Sequence, residues 1–185
     1  CRWYPGAGIY REVKLVHGPL VRIAYQGLSL TTESIDADTA TLAAAVRVEN
    51  DTTAPFQGHV EVTLTGPGGD VTSARASVWA EPGESALARL RFVVRQPRLW
   101  TAETPDLYDA SALLTDFATG EALDSDQARV GIRTVQVDPV HGLRVNGKTV
   151  KLKGGCVHHT TGPLGAADFD SQTRRVLQAH KDAGY

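Results

Sequence analysis

The chain has 185 residues, 42% hydrophobic and 22% charged, the composition of a globular protein able to bury a core. A formal net charge of −2 excludes broad attraction to nucleic acid or an anionic membrane, and no apolar run approaches the roughly 20 residues of a membrane span. Two cysteines, Cys1 and Cys156, make neither a disulfide framework nor a zinc spacing, and Cys156 is read as a small buried hydrophobe.

The opening strand is read over residues 20–30. Over 41–49, Leu42, Ala44, Val46 and Val48 share one face, while Thr41, Arg47 and Glu49 share the other. Over 59–65 the apolar face is Val60, Val62 and Leu64. Over 87–94 it is Ala88, Leu90, Phe92 and Val94, opposite Arg89 and Arg91. A period of two with one polar face predicts half-buried antiparallel strands. Turn residues separate them at Asn50-Asp51, Gly66-Pro67-Gly68-Gly69-Asp70 and Glu81-Pro82-Gly83-Glu84. Trp79 sits in another alternating stretch, Ser77-Val78-Trp79-Ala80. Strands at 108–116 and 127–137, parted by a turn at Thr119-Gly120, complete about seven across residues 20–137. Their spacing, without crossover helices, predicts an all-β fold, an immunoglobulin-like antiparallel β-sandwich.

After Val137 the pattern changes. Asp138-Pro139 breaks the strand, and residues 143–152 read as a hairpin with Asn146-Gly147 at its tip, the preferred pair for a two-residue turn. Residues 151–159 read as a strand ending in His158-His159. A loop with Gly162, Pro163 and Gly165 follows. Residues 168–184 read as a helix, with a stripe of Phe169, Thr173, Val176, Leu177 and His180, a start capped by Asp168 or Asp170, and Gly184 at its end. Strand, loop and helix in that order make one βα unit. No methionine occurs, and Cys1-Arg2-Trp3-Tyr4-Pro5 has no basic segment leading into an apolar one. The expectation is a chain taken from a longer precursor.

Four segments together resemble one family, the glycoside hydrolases of family two, the group of β-galactosidases, β-glucuronidases and β-mannosidases. They are residues 2–11 (Arg-Trp-Tyr-Pro-Gly-Ala-Gly-Ile-Tyr-Arg), residues 97–108 with Leu99-Trp100, Pro105 and Leu107-Tyr108, the triplet Gly131-Ile132-Arg133, and residues 148–167. The wording at both ends is most similar to the β-galactosidase-like branch. The resemblance implies that residues 1–19 end a jelly-roll sugar-binding domain and that 20–137 are the sandwich. It implies that 138–185 begin a truncated (β/α)₈ barrel, of which the chain holds the first strand and helix. It also implies a parent that is a retaining exo-glycosidase acting on terminal β-glycosidic bonds through two glutamates on later barrel strands. No catalytic residue is then expected within this chain, and the piece alone is expected to be inactive.

The substrate-binding candidates are His158, His159, Arg2 and Trp3. Barrel sites lie at the C-terminal ends of strands, where one imidazole of the pair is placed to hydrogen-bond a sugar hydroxyl. Arg2 and Trp3 offer a donor fork and a stacking face, against the alternative that Trp3 and Tyr4 pack between domains. Thr160 stands where related sequences tend to carry an acidic residue, which leaves substrate choice open. Adjacent histidines diverge on a strand, so no metal and no cofactor are expected. The expected partners are a carbohydrate substrate and the neighbouring domains of the same parent, with no nucleic acid and no membrane, and homo-oligomer contacts are left open. Trp100 and Tyr108 are read as core anchors, and Trp79 as either core or binding platform. The competing reading is a free-standing carbohydrate-binding or adhesion sandwich without catalysis.

Overall fold

The computed structural model describes residue 9, residues 12–158 and residues 162–185. The chain divides into two compact bodies: Gly18–Thr149, and the described residues flanking it on both sides.

In the larger body seven strands run in chain order: β1 (Val21–Ile35), β2 (Thr39–Asn50), β3 (Phe56–Thr65), β4 (Val71–Ala80), β5 (Ser85–Arg95), β6 (Tyr108–Asp116) and β7 (Ala122–Val130). They form two sheets, β1-β2-β5 and β4-β3-β6-β7, with every neighbouring pair antiparallel. The connections β2→β3, β4→β5 and β5→β6 each change sheet, which makes a sandwich and not a meander. The period-two pattern is the cause. Leu42, Val46, Val48, Val60, Val62 and Leu114 are all sealed from solvent between the sheets. Burying one such side chain is worth about 1.5–3 kcal/mol. A one-residue slip of register would turn a whole strand's apolar set outward.

The β1 side of the sandwich is closed by carboxylates. Strand β1 carries an irregularity between Ile23 and Leu28, where Gln26 has φ 53°. Asp124 and Asp126 on β7 reach across it: the Ile23 N–H donates to Asp124 Oδ2 at 2.8 Å, and the Leu28 N–H to Asp126 Oδ2 at 3.1 Å. Edge donors are thereby satisfied by side chains of the opposite sheet.

The predicted strand over 127–137 is two strands. β7 ends at Val130, and β8 (Val135–Asp138) belongs to a separate three-stranded sheet with β9 (Gly142–Val145) and β10 (Lys148–Thr149). The cause is a close approach at Gly131, where a Cβ would stand 2.8 Å from Trp100 side-chain atoms. The Trp100 N–H donates to Ile132 O at 2.9 Å, so the backbone here pairs with the Trp100 loop. The Asn-Gly turn forms as predicted: Val145 faces Lys148, with Asn146 at φ 50° and Gly147 at φ 75°.

In the smaller body the expected strand over 151–159 is not formed, since residues 150–158 have no regular secondary structure. A strand exists through its ladder, and residues 150–158 join none of the three sheets of the described residues. Cys156, without a sheet to cover it, is exposed and not buried. A 3₁₀ turn at Gly162–Leu164 leads to α1 (Asp170–Asp182). Neither aspartate caps this helix. Phe169 holds the N-cap position without a side-chain bond, while Asp168 accepts from the Thr173 hydroxyl. At the other end the Gly184 N–H donates to Lys181 O at 3.0 Å and the Tyr185 N–H to His180 O at 3.1 Å, a Schellman ending. No residue of α1 is buried.

Candidate functional site

His158 is exposed at the end of the irregular run, preceded by Gly154 and Gly155, around which an added Cβ would meet nothing within 4 Å. Beyond it, the Gly165 N–H donates to Gly162 O at 3.0 Å and the Ala167 N–H to Leu164 O at 3.1 Å, so a tight double turn carries the chain into α1. Arg2, Trp3 and His159 lie outside the described residues, as do Tyr4 and Thr160. Among the described residues no group of three His, Cys, Asp or Glu side chains is arranged to hold a metal ion. The acidic residues weighed from the sequence sit apart in character: Glu103 is on an exposed loop, Asp168 is tied to Thr173, and Asp170 opens the helix.

In the larger body two of the singled-out motifs meet. The Arg133 guanidinium lies 4.7 Å from the centre of the Trp100 ring, in cation–π contact. Asn146 joins them: its Nδ2 donates to Trp100 O at 3.0 Å, and its Oδ1 accepts from the Thr134 N–H at 3.0 Å. The Leu-Trp element, the Gly-Ile-Arg triplet and the Asn-Gly turn are thus one corner of the fold. Sequence reading missed that junction. No local pattern marks it, since Gly131-Ile132-Arg133 lies within the stretch read as one strand and Asn146-Gly147 is accounted for by its turn alone.

Tyr108 begins β6 and is 2% exposed, with its hydroxyl accepting from the Arg98 N–H at 2.9 Å. This is the corner of a sandwich in which a buried phenol ties the preceding loop down. Burial raises its pKa above the ordinary tyrosine range. The core-anchor reading of Tyr108 holds. Trp79, by contrast, is 54% exposed on the outer face of the four-stranded sheet. Its indole N–H donates to Glu81 Oε1 at 2.9 Å, and it faces Gln57, whose carbonyl accepts from the Phe117 N–H. Phe117 is also exposed, and its ring lies 5.2 Å from that of His59.

Seven strands in two antiparallel sheets, cornered by a buried tyrosine and a stacked Trp–Arg pair, define an all-β sandwich. Residues 21–133, more than half of the chain, match the profile of glycosyl hydrolases family 2, and the chain belongs to that family. It is 35% identical over 185 residues to the β-galactosidase BoGH2A of Bacteroides ovatus, matching 99% of this chain and 21% of that protein. A putative β-glucuronidase of Formosa agariphila is 32% identical, over 99% of this chain and 17% of its own length. Among solved structures, a family member from Bacteroides cellulosilyticus superposes with a TM-score of 0.88 at 28% identity, covering 100% of this chain and 25% of that one. The β-glucuronidase 2 of Bacteroides uniformis, covalently bound to cyclophellitol-6-carboxylate aziridine, gives 0.79 at 28% identity, covering 90% and 21%. The chain spans about a fifth of the length of the relatives it matches. Among the described residues no helix is long and apolar enough to cross a membrane.

Proposed function

We propose that the chain is the sandwich and adjoining segments of a retaining exo-glycosidase that hydrolyses terminal β-galactoside-type bonds. The observation that carries this is the match of nearly the whole chain, at 35% identity, to a protein named a β-galactosidase. In this reading the sandwich is a spacer that orients a sugar-binding domain against a catalytic barrel, and residues 138–185 begin that barrel with its first strand and helix. The two carboxylates, about 5–5.5 Å apart as retention requires, belong to the parent outside this sequence. One would protonate the leaving oxygen and the other would form the covalent glycosyl intermediate. This chain's own share is binding: His158 or His159 bonds a sugar hydroxyl, and Arg2 and Trp3 line the same pocket.

The test is an assay of the complete protein against a panel of aryl β-glycosides. Turnover of the galactoside well above the glucuronide supports the reading, and the reverse order replaces it with a glucuronidase. Inactivity on all members overturns it.

The exposed pair Trp79 and Phe117 favours a second reading, in which the sandwich binds carbohydrate without catalysis. Aromatic faces stack on sugar rings, and these two flank a polar Gln57. Pull-down of the chain by insoluble polysaccharide, lost in W79A/F117A, is the result that reading requires.

A further inference from the structure

The outer face of the three-stranded sheet holds a feature that no spacer role requires. Ala43 and Ala45 point outward from the central strand β2, where β-branched residues fit a pleated surface better. They floor a trough of about 560 Å³. Register places Ser29, Ala45 and Arg89 in one row across the sheet, and Thr31, Ala43 and Arg91 in the next. One wall therefore carries the hydroxyls of Ser29, which donates to Ala45 O at 3.3 Å, and Thr31, with the Glu33 carboxylate beside them. The other carries Arg89 and Arg91, two residues and about 6.8 Å apart along β5, of which Arg89 is the one not held by Glu33.

Charge on this face is in cationic excess over two carboxylates, Glu33 and Glu49, the latter paired with Arg22 at 2.6 Å. Arg47, Arg89, Arg91 and Arg95 all point outward and are exposed, on a chain whose net charge is −2. Glu33 on β1 answers only Arg91, meeting its Nε at 2.9 Å and its NH2 at 3.1 Å. Protection of the β5 edge by charge accounts for Arg89, Arg91 and Arg95. It does not account for Arg47, which is on the central strand, or for the alanine floor.

We propose that this trough binds an anionic glycan, an oligosaccharide bearing sugar carboxylates. Guanidinium forks match carboxylates in geometry and charge. Ser29 and Thr31 on the facing wall match hydroxyls, which an acidic peptide would lack at that density. The small floor admits a ring. The proposal is independent of the catalytic reading because it is scored by binding alone.

The experiment is calorimetric titration of the 185-residue chain with an oligoglucuronate, its carboxyl-reduced counterpart, and poly-glutamate of equal charge. The expected result is saturable binding of the oligoglucuronate that weakens with salt, no binding of the reduced sugar, and poly-glutamate at least tenfold weaker. R89Q/R91Q is expected to lose at least tenfold in affinity, while R75Q, on the other sheet, keeps the wild-type value. Should the double variant fold poorly through loss of the Glu33 pair, R89Q alone carries the test, because the Arg89 side chain makes no hydrogen bond or ion pair among the described residues. Absence of saturable binding, equal loss in R75Q, or poly-glutamate binding as tightly as the sugar would overturn the proposal.

Discussion

Asn50 is fully buried where β2 ends, and its amide is the polar knot of the sandwich. Its Nδ2 donates to Ala54 O at 2.8 Å and Ala80 O at 3.0 Å, and its Oδ1 accepts from the Thr52 hydroxyl at 2.6 Å. One side chain thus ties the β2–β3 turn to the end of β4. Asn50→Ala removes the amide donor to the buried Ala80 carbonyl, and an unmet buried group costs about 1–3 kcal/mol. Urea unfolding should show that loss, and an unchanged midpoint would contradict it. Tyr108 gives a pH signature as well. Its pKa is raised by burial, so the folded state holds the phenolic proton more tightly than the unfolded chain. The associated stability is complete below the unfolded value of about 10 and falls as pH rises from there through the folded value. Stability of the wild type should therefore decline more steeply above about pH 10 than that of Tyr108→Phe, measured by denaturant titration. Neither residue's partners were legible in the sequence. Asn50 was read as turn chemistry, and Tyr108 as an anchor with no named partner. The Asn50–Ala80 and Tyr108–Arg98 bonds reach main-chain atoms that only the closed sandwich brings near.

At the scale of elements, alternation carried the reading where one face is buried and the other wet. Strands β2, β3, β5 and β6 fall within a few residues of the stretches predicted from their apolar faces. The reading failed where tertiary contact overrode local pattern. Residues 127–137 alternate plausibly throughout, yet the chain leaves the sheet at Gly131 because Trp100 occupies the space beside it. Gly131→Ala forces a methyl against that ring and should cost about 1–3 kcal/mol by thermal unfolding. A variant as stable as wild type would remove Trp100 as the cause. The β8–β9 turn is held differently. Asp138 accepts from the main-chain N–H and the ring of His141 and pairs with Arg144 at 2.9 Å, and these bonds, the His141 N–H first, hold its pKa below the usual carboxylate range. Its contribution is present above the ordinary carboxylate value and lost as pH falls through the folded one. NMR titration of the Asp138 carboxyl should give a midpoint below about 3.9, and a midpoint at or above it would contradict the bonding seen.

For the whole molecule, the sandwich was legible from periodicity and the family from four short motifs in order. The strand before His158 was not, because a parallel strand is made by its ladder and residues 150–158 join no sheet among the described residues. The same physics bears on α1, which buries no residue although Phe169 and Leu177 lie on its apolar stripe. Amide exchange in α1 should be much faster than in β2 or β3, and equal protection would count against the barrel reading. The central claim is that this chain positions and binds while carboxylates elsewhere in the parent react. Treating the complete protein with a 2-deoxy-2-fluoro-β-galactoside and mapping the adduct by mass spectrometry tests it most directly. The account predicts a covalent glycosyl ester on a glutamate outside these 185 residues; an ester on Glu103, Asp168 or any other carboxylate within them would contradict it.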